Sequence, residues 1–279
     1  MKPFTVLVPC STSNLGAGFD AVGIALSGPD LMVRVSPGGD GLRIARLSGE
    51  GADRLPPDST NRVIDAAHRA AAAAGRSRQS LAAELSIHSS IPLKRGLGSS
   101  AAAALAGGLL ADALLDGAIG QEAVLRTAVE MEGHPDNVVP ALRGGAQVSV
   151  RDADGNVLSC PIPIGAPLRA ALYIPDQELA TSAARAVLPA QVTLADAVHN
   201  LGRAALLVAA LSGGRLELLG EAMDDRLHQP ARAGLLPWLP PLLAAAREVA
   251  RAMMDEAASL GVAGRSEVVD VAVPGARVV

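Results

Sequence analysis

Short runs in which apolar and polar positions alternate fill the first fifty residues. FTVLVPCS from Phe4, LMVRVSP from Leu31 and LRIARLSGEG from Leu42 read as strands separated by Gly, Pro and Asp turns. The period changes at DSTNRVIDAAHRAAAAAG, where polar N-cap candidates precede an alanine-rich run that stops at Gly75, the punctuation of a helix. LAAELSIHSSIP returns to strand character. PLKRGLGSSAAAALAGG, from Pro92, is a tight glycine turn running into an alanine-rich helix. QEAVLRTAVEMEG then sets Val124, Leu125, Ala128, Val129 and Met131 at helical spacing before a stop at Gly133. GGAQVSVRDADGNVLSCPIPI predicts two strands joined through Asp154-Gly155-Asn156.

Beyond Ile164 helices dominate. PLRAALYIPD reads as a buried strand opening a new unit, followed by helices in TLADAVHNLGRAALLVAALSGG, RLELLGEAM and LPPLLAAAREVARAMMDEAASLG. A boundary near Ile164 to Pro167 divides the chain into residues 1–165 and 166–279, an α+β protein.

Composition narrows the function classes. Of 279 residues, only Phe4, Phe19, Tyr173 and Trp238 are aromatic, so the core is built from Leu, Val, Ile and Ala, and no aromatic platform for nucleic acid exists. The net charge is -4, with Lys2 and Lys94 the only lysines and no basic block, which argues against a nucleic-acid partner. Cys10 and Cys160 are too few for a disulfide framework and suit a reducing compartment. MKPFTVLVPCSTSN lacks a signal-peptide core, Asp112 interrupts the apolar run from Ser100, and the run near Leu206 is too short to span a bilayer. A soluble, cytoplasmic protein without a membrane partner is expected.

Three stretches can carry chemistry. In GLGSSAAA, Gly96 and Gly98 permit unusual backbone conformations, and Ser99 and Ser100 open a helix whose N–H groups and dipole suit a phosphate. The same residues also describe a serine-capped helix, and the lysine of a Walker A loop is missing. In EMEGHPDNVVPALRGG, Glu130 and Glu132 end a helix before His134, Asp136 and Asn137. A helix carboxylate there could hold Mg2+, and an Asp-Asn pair could orient a hydroxyl, although taken alone the stretch reads better as a polar helix end turned by Pro135. VPCSTSNLGAGFDAVGIAL carries Asn14 and Asp20 in a glycine-containing loop.

Together, and in this order, the three stretches resemble the GHMP small-molecule kinases, and within them the homoserine kinases. Asn14 to Asp20 match N-L-G-x-G-F-D, Pro92 to Ala101 match P-x-x-x-G-L-G-S-S-A, and Glu132 to Gly145 match E-G-H-P-D-N-V-x-P-A-x-x-G-G. TSAARAVLP around Arg185 and DRLHQPARAGLLP around Arg232 resemble the family in the second half.

The resemblance implies a two-domain GHMP kinase fold, with an N-terminal domain like domain 2 of ribosomal protein S5 and a C-terminal ferredoxin-like sandwich. It implies ATP-dependent phosphorylation of the L-homoserine hydroxyl for threonine biosynthesis, by a homodimer. Pro92, Lys94, Arg95, Gly96, Leu97, Gly98, Ser99, Ser100, Ala101 and Ala102 would cradle ATP, and Ser100 and Glu130 would hold Mg2+. Asn14, Asp20, His134, Asp136 and Asn137 would surround the amino and hydroxyl groups of homoserine, with Arg185 and Arg232 on its carboxylate. Asp136 and Asn137 would be the catalytic pair, Asp136 acting either as base or by orientation alone.

A third family motif, a glycine-rich L-S-G-x-G-P-T phrase between two strands, is not found. The sequence around Ala250 and Arg251 looks like a junction from which roughly 25 to 30 residues are missing, enough for two strands. An incomplete sandwich, with exposed strand edges and apolar helix faces, is therefore expected. PPLLAAAREVARAMMDEAASLG could run as one helix across the junction. A GHMP-fold binding protein without catalysis, or a kinase of another hydroxylated substrate, is the rival reading.

Overall fold

The structure, a computed structural model, describes residues 1–245 and 259–279; the expected junction at Ala250 and Arg251 lies outside the described residues. Nine strands and nine helices are set out in those residues. The first sheet is built on β1 (Phe4–Ser13) and the long β2 (Val22–Pro37), which are antiparallel. Alternate residues of β1, Val6, Val8 and Cys10, are fully buried, as a period of two demands when one face meets the core. The register jumps between Pro9 and Cys10, where β2 passes from Asp30 to Leu26 and bulges at Ser27-Gly28-Pro29.

The other edge of β2 is shared. Its second half pairs with β4 (Ala83–Ser89), which in turn pairs parallel to β3 (Leu42–Gly49). Its first half pairs with β5 (Ala146–Arg151), which continues into the hairpin partner β6 (Val157–Ile162). β9 (Arg277–Val278) returns to the outer edge of β1, so the C-terminal segment contributes a strand to the first sheet.

Helix α2 (Ser99–Leu114) lies on β1 and β2, flanked by α1 (Arg62–Ala73) and α3 (Gln121–Glu132). Ten of its residues, from Ala101 to Ala111, are buried, as expected of a helix that is apolar all round. Short α4 (Val138–Arg143) closes the layer. Cys10 is buried among these elements, which pushes its thiol up to about 12, while Cys160 is exposed and free.

The second half is thinner. β7 (Arg169–Pro175) pairs antiparallel with β8 (Gly264–Asp270) as a two-stranded sheet among the described residues. Only Ile174 of β7 is fully buried, which corrects the expectation of a buried strand: with one neighbouring strand there is little to cover it. α5 (Thr181–Ala186), α6 (Leu194–Gly213), α7 (Leu219–Ala222), α8 (Gln229–Ala233) and α9 (Leu239–Ala245) complete the order. RLELLGEAM, expected as one helix, divides into a 3-10 turn at Leu216–Leu218 and the single turn of α7.

α6 exposes Leu194, Val198 and Leu201, at 80%, 59% and 73%. The run near Leu206, expected to be too short for a bilayer, lies in this 20-residue helix, which by length and composition alone could cross one. It carries Asp196 and Arg203, and its buried Asn200 donates to Asp225 at 2.7 Å.

Candidate functional site

Four segments converge at the inner end of β1. Residues 14–20 leave β1 as a loop in which Asn14, Leu15 and Asp20 hold φ of 71°, 44° and 56°. Side-chain hydrogen bonds hold these left-handed conformations: the Asn14 Oδ1 accepts the Asp20 N–H at 3.0 Å, and its Nδ2 donates to Ser13 Oγ at 3.1 Å. Ser13 Oγ also accepts from Asn137 Nδ2 at 2.9 Å, and Ser11 Oγ donates to Asn137 Oδ1 at 3.0 Å. Ser11 and Ser13, alternate residues of one strand, therefore tie Asn137 to the Asp20 loop.

The glycine turn enters from the other side. Gly98 is the residue before α2, at φ +70° and with no side-chain cap, so the serine-capped helix is not what forms. A Cβ on Gly98 would meet Ser11 Oγ at 2.3 Å and Asn137 Oδ1 at 3.3 Å, so only glycine allows the helix start to reach Asn137. The open N-terminal turn of α2, which has no preceding carbonyls for its first N–H groups, thus faces the Asp136-Asn137 loop.

Ser100 has an acidic partner at the end of α3. Ser100 Oγ donates to Glu132 Oε1 at 2.7 Å, whereas Glu130 is exposed on α3. Residues two apart on a helix point in nearly opposite directions, so only one of the two glutamates can face Ser100. The carboxylate beside Ser100 is thus Glu132, while Glu130, expected to hold Mg2+ with Ser100, lies on the outer side of α3. Arg62 braces it, bonding Glu132 Oε1 and donating to the Met131 carbonyl at 2.9 Å and the Ser100 carbonyl at 3.2 Å.

Elsewhere in the turn the side chains look away. The guanidinium of Arg95 bonds the carbonyls of Leu93, Pro175 and Asp176, and Lys94 pairs with Glu178 at 3.3 Å, joining the turn to the second half. Pro92, Leu97, Ala101 and Ala102 are buried, and Gly96 at φ +74° has open space where a Cβ would be. What residues 92–102 offer an anion is chiefly backbone N–H and the hydroxyls of Ser99 and Ser100.

Asp136 is 1% exposed, and its Oδ2 has no hydrogen-bond partner among the described residues. Its Oδ1 bonds the Nδ1 of buried His134. Burial pushes the His134 imidazole down, but the hydrogen bond and charge of Asp136 outweigh it and raise it above its ordinary value. Asp20, His134 and Asp136 bring polar atoms within 4.8 Å of one another.

Arg185, at the end of α5, forks onto Asp20 at 2.6 and 3.0 Å. Arg232 on α8 is half-buried, and burial, then the charge of Arg185, push it down. Both guanidiniums stand beside the Phe19 ring, at 5.8 and 5.5 Å from its centroid. All the expected substrate residues therefore meet in one place. Ser11, Ser13, Phe19, Arg62 and His228 join them without a site signal of their own in the sequence, and Glu132, one of the two helix carboxylates of EMEGHPDN, joins them beside Ser100.

Residues 61–145 match the GHMP kinases N terminal domain. The homoserine kinase of Moorella thermoacetica is 41% identical over 87% of this chain and 80% of its own length. The chain belongs to the homoserine kinase family. The homoserine kinase of Deinococcus radiodurans is 45% identical over 88% of this chain and 78% of its own. The crystal structure of homoserine kinase from Cytophaga hutchinsonii superposes with a TM-score of 0.86 at 28% identity, covering 100% of this family member and 98% of that chain. The fold is the mixed α/β fold of the GHMP kinases, and kinases of that family take ATP as phosphate donor.

A close approach also explains a glycine on β2. A Cβ on Gly23 would lie 1.7 Å from the Asp136 carbonyl oxygen. Gly23→Ala is expected to cost about 1–3 kcal/mol of stability through overpacking, read by denaturant unfolding, and to lower activity by displacing Asp136.

Proposed function

We propose that the chain phosphorylates the side-chain hydroxyl of L-homoserine from ATP and Mg2+, giving O-phospho-L-homoserine and ADP. The observation that carries this reading is the meeting, at Gly98, of the open N-terminus of α2 with Asn137 and the buried Asp136. A phosphate-binding helix end and a hydroxyl-binding carboxylate within one site is what phosphoryl transfer to an alcohol needs.

When bound, ATP supplies the transferable phosphoryl group and Mg2+ neutralises its charge. The residues fit both: the open space at Gly96 and the first turn of α2 suit the phosphates, and Ser100 with Glu132 offers the oxygen donors that Mg2+ prefers. Asp136 accepts the hydroxyl proton at Oδ2 while the hydroxyl oxygen forms its bond to phosphorus and the bond to ADP breaks. Asn137, fixed by Ser11 and Ser13, orients the hydroxyl between Asp136 and the helix end.

The charges at the other end of the site select an amino acid. Asp20 and Arg185 neutralise each other in the ligand-free protein. A zwitterion can exchange that internal pair for two external ones, its ammonium on Asp20 and its carboxylate on Arg185 and Arg232. An alcohol lacking either charge leaves one of these groups without a partner.

A coupled ADP-release assay tests the reading. Turnover is expected with L-homoserine, with little for 4-hydroxybutyrate or 3-aminopropanol; release with another alcohol and none with homoserine overturns it. Arg232→Leu is expected to raise KM for homoserine far more than KM for ATP, and equal effects count against the carboxylate role.

A further inference from the structure

We propose that His228 is a positioning residue for the substrate carboxylate: a neutral imidazole, protonated at Nε2, that hangs from the Gly16 carbonyl and holds Arg232 by accepting its hydrogen bond. This rests on the homoserine reading above. The geometry admits one tautomer. Nε2 lies 2.9 Å from the Gly16 carbonyl oxygen, which only accepts, and Nδ1 lies 3.2 Å from Arg232 Nη1, which only donates. The ring links the loop bearing Asp20 to the arginine of α8, on opposite halves of the chain.

Packing and capping fix that ring. It stacks on Phe19 with centroids 4.7 Å apart and planes at 22°, so the aromatic ring beside both arginines is itself held by His228. The Asp225 carboxylate accepts the backbone N–H groups of Leu227, His228 and Gln229 at 3.2, 2.9 and 2.7 Å, together with Nδ2 of buried Asn200 on α6. His228 is 4% exposed.

Charge sets the direction of its pH response. Facing the imidazole are Asp225, with Oδ2 3.8 Å from Nε2, Asp20 on the opposite loop, and Arg232, which Arg185 neighbours. Burial pushes His228 below its ordinary value and the charge of Arg232 adds to this, against the Gly16 carbonyl and the two aspartates. The neutral form thus persists below the usual histidine range. When the pH falls through the lowered value, a proton on Nδ1 faces the Arg232 N–H, and the arginine is released. Affinity for homoserine falls there, and affinity for ATP does not.

Steady-state kinetics on the full chain test this with two variants. His228→Leu is expected to raise KM for homoserine about tenfold or more near neutral pH, with kcat and KM for ATP within about twofold. His228→Gln, whose amide can donate to Gly16 and accept from Arg232, is expected to restore KM and to abolish the acid rise in KM shown by the unmodified chain. An unmoved KM in His228→Leu, or an unchanged acid rise in His228→Gln, overturns the proposal; where the leucine variant does not fold, the glutamine variant decides alone. Nitrogen NMR of the ligand-free chain gives a readout independent of substrate. It should show the Nε2–H tautomer, titrating higher after Arg232→Leu, and the opposite tautomer overturns the proposal. That tautomer in a chain that does not turn over homoserine refutes the substrate while leaving the His228–Arg232 link in place.

Discussion

Asp136→Asn is expected to lower kcat for homoserine phosphorylation by roughly 10²- to 10⁴-fold, the range that a lost general base produces, with KM for ATP unchanged. The asparagine keeps the shape of the side chain but cannot take the hydroxyl proton. A loss below about tenfold would leave Asp136 with orientation alone, the proton passing to phosphate. The same variant separates the chemistry from the stability of the loop. The His134 imidazole is raised by its bond to Asp136, even against burial. A base raised on folding stabilises the folded state fully below its unfolded value, and that contribution is lost as pH rises through the folded one. Unfolding free energy should therefore decline as pH rises above ~6.5, and in Asp136→Asn that decline should flatten. An equally steep decline in the variant would show that Asp136 is not the partner that raises His134.

Much of the first sheet and its helices is legible in the sequence because local signals agree there. The alternation in β1, the Asn61 cap and Gly75 stop around α1, and the turn at Asp154-Gly155-Asn156 each act within a few residues. The site was legible where its residues share a phrase, as His134, Asp136 and Asn137 do. It was not legible where partners are distant: Arg62 meets Glu132 across 70 residues, and His228 meets Gly16 across 212. Nor could the phrase DRLHQPARAGLLP show which of its residues holds Arg232, because the Gly16 carbonyl that fixes the His228 tautomer comes from the opposite half. The thin second half follows from a different cause. With β7 and β8 as the only strands of their sheet among the described residues, periodicity predicted burial that no neighbouring strand supplies.

Glu132→Gln is expected to lower kcat by roughly 10²- to 10³-fold, or about 3–4 kcal/mol of transition-state stabilisation, while Glu130→Gln stays within about twofold of the unmodified chain. The contrast follows from helix geometry. α3 ends at Glu132, and Gly133 turns the chain back in the left-handed region, so the last carboxylate of the helix is the one presented to Ser100. Glu130, two residues earlier, lies nearly half a turn round and faces solvent. Glu132 also stands in the E-G-H-P-D-N phrase while Glu130 does not, a signal that position in the phrase carries and helix-end polarity alone does not. Arg62 sharpens the test, since it neutralises Glu132 when no metal is bound. Binding of Mg2+ would loosen that ion pair, so Arg62→Leu should leave Glu132 more available to the metal and lower the Mg2+ concentration for half-maximal rate. In Glu132→Gln that concentration should instead rise. Equal losses from the two glutamine variants would return the metal to neither carboxylate and leave the phosphates held by the helix end alone.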